Sequence, residues 1–138
     1  MDAVEFLDVS GDIGLRVTAA NMAELFVKAA CAFSSLTTDF DKIEAADTME
    51  IILTAESTSD LIVAWLNELI YNFDTNGFLC KEIIIKEFSQ THISATVKGE
   101  TFDENRHEKG FLIKAATYHG LKIESGESFS SLEIILDI

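Results

Sequence analysis

The sequence predicts an α+β domain, two helices packed on a mostly antiparallel sheet. Two segments carry apolar residues at three- and four-residue steps, as helices with one buried stripe do. Several others alternate apolar and polar residues, as half-buried strands do. No linker, repeat, low-complexity stretch or proline separates them, so residues 1–138 read as a single domain. A chain of this length buries roughly two-thirds of its unfolded surface.

Val4 to Leu7 and Ile13 to Ala19 read as short strands separated by a turn over Asp8 to Asp12. Asn21 caps the first helix, with Glu24 three residues later in capping-box position. Its stripe runs through Met22, Leu25, Phe26, Ala29, Ala30, Phe33 and Leu36. The polar, acidic stretch from Thr37 to Asp47 reads as a loop. Met49, Ile51, Leu53 and Ala55 then alternate with Glu50, Thr54 and Glu56 in a half-buried strand. The second helix starts near Ser57 to Ser59 and carries Leu61, Ile62, Trp65, Leu66, Leu69, Ile70 and Phe73. Asn76-Gly77 ends it in a left-handed cap. Trp65, at helical spacing among leucines, reads as core. Strands at Lys81 to Phe88 and His92 to Glu100 flank a tight Ser89-Gln90-Thr91 turn. After a charged loop at Asp103 to Lys109, the segments Phe111 to Tyr118, Gly120 to Glu124 and Leu132 to Ile138 close the sheet.

Ten basic residues stand against 24 acidic ones, for a formal charge of −14. Such a surface repels nucleic-acid phosphates and anionic membranes, and suits cation binding or docking on a basic partner. No apolar run approaches the roughly 20 residues that span a bilayer. The acidic start Met1-Asp2-Ala3-Val4-Glu5 is unlike a signal peptide, so a cytoplasmic location is expected. Cys31 and Cys80 then read as buried free thiols.

Catalytic motifs are scarce. There is no phosphate-binding loop, Gly11-Asp12-Ile13-Gly14 has the wrong spacing for a dinucleotide fingerprint, and no serine sits in a nucleophile elbow. His92, on the polar side of its strand, and His107, in a loop, read as solvated. His119 is open to two readings, a ligand or acid–base group and a surface or structural histidine. No His or Cys pair has zinc spacing. What remains is oxygen chemistry. Asp12 near one end, and Asp137 with the α-carboxylate of Ile138 at the other, form a candidate site for a hard cation such as Ca²⁺ or Mg²⁺. The plainer alternative is a last strand that happens to end in Asp-Ile.

Several blocks, in order along nearly the whole chain, resemble the archease family. They are Phe6-Leu7-Asp8 with Asp12-Ile13-Gly14-Leu15-Arg16-Val17, then Glu24-Leu25-Phe26, and Trp65-Leu66-Asn67-Glu68-Leu69-Ile70-Tyr71. Gly99-Glu100, Arg106-His107, Lys114-Ala115-Ala116-Thr117-Tyr118-His119 and the closing Leu136-Asp137-Ile138 follow. The resemblance implies an α+β fold of the strand-helix-strand-strand type. It implies a small acidic accessory protein, not an enzyme, that activates an RtcB-type RNA ligase in tRNA splicing and RNA repair. The assistance consists of promoting guanylylation of the ligase and restoring it for repeated turnover. The resemblance also implies a divalent cation, foremost Ca²⁺ with Mg²⁺ or Mn²⁺ as alternatives, at Asp12, Asp137 and Ile138. Asp8, Lys114, Tyr118 and His119 are candidate supporting or partner-contact residues, with Lys114 equally readable as a neutraliser of nearby aspartates. One departure stands out: the family's opening motif reads Asp-His-Thr-Ala-Asp, and here Val9 replaces the histidine. Two other classes remain as alternatives. One is a chaperone or adaptor for a tRNA methyltransferase or another basic partner; the other is a metal-dependent hydrolase using Asp8, Asp12, His119 and Asp137.

Overall fold

The computed structural model describes residues 4–138. Strands β1 (Val4–Val9) and β2 (Asp12–Ala19) form a hairpin closed by Ser10-Gly11 alone. Both turn residues have positive φ, 51° and 91°, the sense that matches the twist of the flanking strands in a two-residue hairpin. The turn is thus shorter than the five residues expected, and Asp8 and Asp12 stand on strands. Asp8 pairs with Ile13 and Val9 with Asp12, so the two aspartates point to opposite faces of the hairpin.

Helix α1 (Met22–Thr37) starts as the sequence predicts, with Asn21 Oδ1 accepting the Glu24 N–H at 2.9 Å. The loop after it contains one 3₁₀ turn, Phe40–Lys42, capped by Asp39. Strand β3 (Asp47–Thr54) leads to helix α2 (Thr58–Asn76). Ser57 caps α2 by accepting the Asp60 N–H at 3.1 Å, and Gly77 ends it at φ 68°. Then come β4 (Phe78–Phe88), β5 (His92–Thr101), β6 (Ala115–Ala116), β7 (Lys122–Ser125) and β8 (Ser130–Asp137).

The strands divide between two sheets, every pairing antiparallel. One runs β1-β2-β8-β6, with β7 also on β8; the other is β3-β5-β4. Alternation along a strand specifies its buried face and not its neighbour, which is why the sequence read as one sheet. The helix stripes and the inner faces of both sheets share one core, including Leu15, Leu132 and Ile134 from the first and Ile51, Ile93 and Val97 from the second. Trp65 is fully buried there, and its Nε1–H donates to the Phe26 carbonyl at 3.0 Å, so it is core as expected. Cys80 is buried and Cys31 half-buried, and burial pushes both thiols up.

The segment expected as a strand from Phe111 to Tyr118 is mostly irregular; only Ala115–Ala116 pairs with β8. Its start is docked on a helix end instead. Gly110 N–H donates to Thr37 O at 2.9 Å and Phe111 N–H to Leu36 O at 2.8 Å, satisfying two carbonyls at the end of α1. A β-carbon at Gly110 would run into the Leu36 carbonyl, so this approach requires glycine.

Candidate functional site

The end of β8 is clamped between β2 and β6. Ile13 pairs with Leu136 on the helix-facing side, while Gly14 with Ile135 and Arg16 with Glu133 lie on the other. Arg16 Nε donates to Glu133 Oε1 at 2.7 Å, so that outer register carries real side-chain pairing. One further step along it brings Asp12, at the start of β2, opposite Asp137, at the end of β8. The Ile138 N–H points to Asp12 Oδ1 at 3.4 Å. On the other flank Ala115 pairs with Asp137, and the Lys114 N–H donates to Asp137 O at 2.8 Å. The fold therefore gathers Asp12, Asp137 and Ile138 at one corner of the sheet.

Among the described residues, no Lys, Arg or His forms an ion pair with Asp12 or Asp137. Like charges on facing strand positions repel. The donor set is all hard oxygen, as Ca²⁺ or Mg²⁺ prefers. Among the described residues no three His, Cys, Asp or Glu side chains gather as metal ligands, so the two carboxylates need main-chain oxygen from Ile138 to complete even a partial shell. The residues present fit a hard cation completed by water or by a partner.

The remaining predicted residues separate. Lys114 is exposed and forms no ion pair among the described residues; its contribution is the main-chain bond to Asp137. Tyr118 donates its hydroxyl to Asp60 Oδ1 at 2.6 Å in the first turn of α2, a bond that raises the phenol's pKa. His119 is exposed, with its main-chain N–H on Thr117 Oγ1 at 3.3 Å. Asp8 sits on the opposite face of the hairpin from Asp12, yet both reach the rim of one open cleft of about 470 Å³. Phe6, Leu7, Phe111 and Ile138 line the same cleft.

Two features escaped the sequence reading. The first is the exposed apolar pair Phe111 and Leu112, 51% and 65% exposed, on a segment expected to be strand. The second corrects His107, which is buried and not solvated. Its Nδ1 accepts the Asp103 N–H at 2.9 Å, which assigns the ring proton to Nε2, 3.0 Å from Glu100 Oε2. Arg106 grips the same carboxylate at 2.7 and 3.0 Å, and the Glu44 N–H donates to it at 2.7 Å. These bonds, led by those of Arg106, hold the Glu100 carboxyl down at about 2. The paired blocks Gly99-Glu100 and Arg106-His107 were the available signal, but nothing in their spacing says that the loop folds back on itself. His92, expected as solvated, is half-buried with Nδ1 3.0 Å from Thr54 Oγ1.

The model of the Archease protein family (MTH1598/TM1083) matches residues 4–138. The chain is 30% identical to protein archease of Sulfurisphaera tokodaii over 139 residues, covering all of both chains. It is also 30% identical to protein archease of Methanothermobacter thermautotrophicus over 141 residues, again covering both completely. The solution structure of protein 1598 of Methanobacterium thermoautotrophicum superposes with a TM-score of 0.83 at 32% identity over the whole of both chains. An archease of Thermotoga maritima, described as a possible chaperone, shares the fold with a TM-score of 0.65 at 21% identity, over 96% of this chain and 94% of that one. With its two helices on antiparallel sheets and a family match across residues 4–138, the chain belongs to the archease family.

Proposed function

We propose that this protein is a non-catalytic activator of an RtcB-type RNA ligase in tRNA splicing or RNA repair. It promotes guanylylation of the ligase and its repeated turnover through a divalent cation, Ca²⁺ foremost, at Asp12, Asp137 and Ile138. The observation that carries the reading is the register of β2 on β8. Continued by one step, it brings Asp12 and Asp137 to facing strand positions, with no cationic side chain paired to them among the described residues. A bound cation neutralises that repulsion and offers open coordination positions to a partner. The protein's own groups hold the corner in shape. The Lys114 N–H fixes the Asp137 main chain, and the Ile138 N–H orients the Asp12 carboxylate. The charge of −14 steers the protein towards a basic surface, such as the mouth of an enzyme that handles RNA.

Val9 pairs with Asp12 in the hairpin register, so the residue that replaces the family's histidine stands directly beside the cation site. Valine adds an apolar wall and no donor, which leaves the site dependent on carboxylate and main-chain oxygen. The test is guanylylation of a purified RtcB-type ligase with and without this protein. Stimulation that disappears in Asp12→Ala is expected; no stimulation by the unmodified protein rejects the reading. The chaperone or adaptor reading draws on the exposed Phe111 and Leu112, and predicts partner binding indifferent to Asp12→Ala and Asp137→Ala.

A further inference from the structure

We infer that the cleft beneath β1 is a docking groove for an apolar side chain flanked by Lys or Arg on the surface of a protein partner. This deepens the ligase-activator reading and rests on it. Pairing with the buried Ile13, Leu15 and Val17 puts Val4, Phe6 and Asp8 on the helix-facing side of the hairpin. Phe6 is nevertheless 45% exposed, on a strand at the edge of its sheet. The cleft is walled by Phe6 and Leu7 from β1 and by Phe111 and Ile138, with Asp8 and Asp12 also in its lining and no basic residue there among the described residues.

The opposite wall is held in place. Gly110 and Phe111 donate to the last carbonyls of α1, and the loop before them is tied by the bonds of Glu100, Arg106 and His107. Phe111 therefore stands exposed on a clamped main chain, a preorganised apolar surface of the kind that makes binding efficient. Charge selects the occupant. A second copy would bring the same acidic rim and the same −14, and phosphate or anionic lipid would be repelled. A basic protein surface meets both the apolar walls and the acidic rim, and it would place its cationic flank beside the Asp12 corner.

The experiment is calorimetric titration of the purified ligase with four variants: Phe111→Ser, Phe6→Ser, Asp8→Asn and, as a control, Ile52→Ser. Ile52 is 66% exposed on the other sheet. Phe111→Ser and Phe6→Ser are expected to weaken binding tenfold or more, with Ile52→Ser within twofold of the unmodified protein. Asp8→Asn is expected to weaken it several-fold and flatten its dependence on salt. Unmodified protein that binds the ligase, with both serine variants binding equally well, overturns the groove and leaves the activator reading standing. A dimer in sedimentation that Phe111→Ser dissolves also overturns it, in favour of a second copy. No binding by the unmodified protein overturns the activator reading and the groove with it. Thermal unfolding separates a lost contact from a lost fold, and Phe6→Ser decides should Phe111→Ser unfold.

Discussion

Two acidic regions of this molecule have opposite electrostatics. Glu100 sits inside a ring of donors supplied by the chain itself, two from Arg106, one from His107 and the Glu44 N–H. Asp12 and Asp137 occupy the strand ends one step beyond the Ile13–Leu136 pair of β2 and β8, without an ion-pairing cation among the described residues. A carboxylate whose bonds are met internally stabilises a loop; one left facing another carboxylate is a place for a cation from outside. In the proposed reading the first region is structural and the second functional, although both are built from acidic residues in the blocks that mark the family.

The contrast breaks first at Glu100. Glu100→Ala leaves the buried Nε2–H of His107 without its acceptor, and is expected to lower unfolding stability by about 2–3 kcal/mol in urea titrations. A loss below about 0.5 kcal/mol would place this network among ordinary surface pairs. Ca²⁺ should act on the other region alone. At a hundredfold over its Kd it is expected to raise stability by about 2.7 kcal/mol, in Glu100→Ala as in the unmodified protein, and not at all in Asp12→Asn. A full calcium effect in Asp12→Asn would move the cation site elsewhere.

Acid titration sharpens the same distinction. The folded Glu100 carboxyl lies at about 2, below its ordinary value of 4.5. Its contribution is therefore complete above the ordinary value and lost as pH falls from there towards 2. Glu100→Gln should flatten that part of the stability profile; an unchanged slope would mean that other carboxylates govern it. The smallest effect is expected at Asp137→Asn without added cation. Relieving a facing like-charge pair should leave stability within about 0.5 kcal/mol or raise it slightly. Clear destabilisation in metal-free buffer would mean that Asp137 has a structural partner.

Local patterns made much of the fold legible. The stripes of α1 and α2, the Asn21 cap, the Gly77 stop and the burial of Trp65 all follow from short-range periodicity and capping chemistry. The strand expected over Phe111 to Tyr118 failed because the bonds of Gly110 and Phe111 go to the end of α1, a distant partner that periodicity does not encode. His107 misled for the same reason: a histidine in a charged loop looks solvated until the loop closes over Glu100. At the candidate site, the residue types of Asp12, Asp137 and Ile138 were readable, and their meeting was not.

By itself the sequence determined both helices and most of the strands, which faces are apolar, the acidic character and the family blocks, because each is written in the residues themselves or in neighbours a few positions apart. Tertiary structure alone decided that the strands form two sheets, that β8 lies between β2 and β6, and that Phe111 is left exposed beside a carboxylate corner. Those outcomes depend on partners distant in sequence, 126 residues apart for Asp12 and Ile138, and only a closed register brings such groups together.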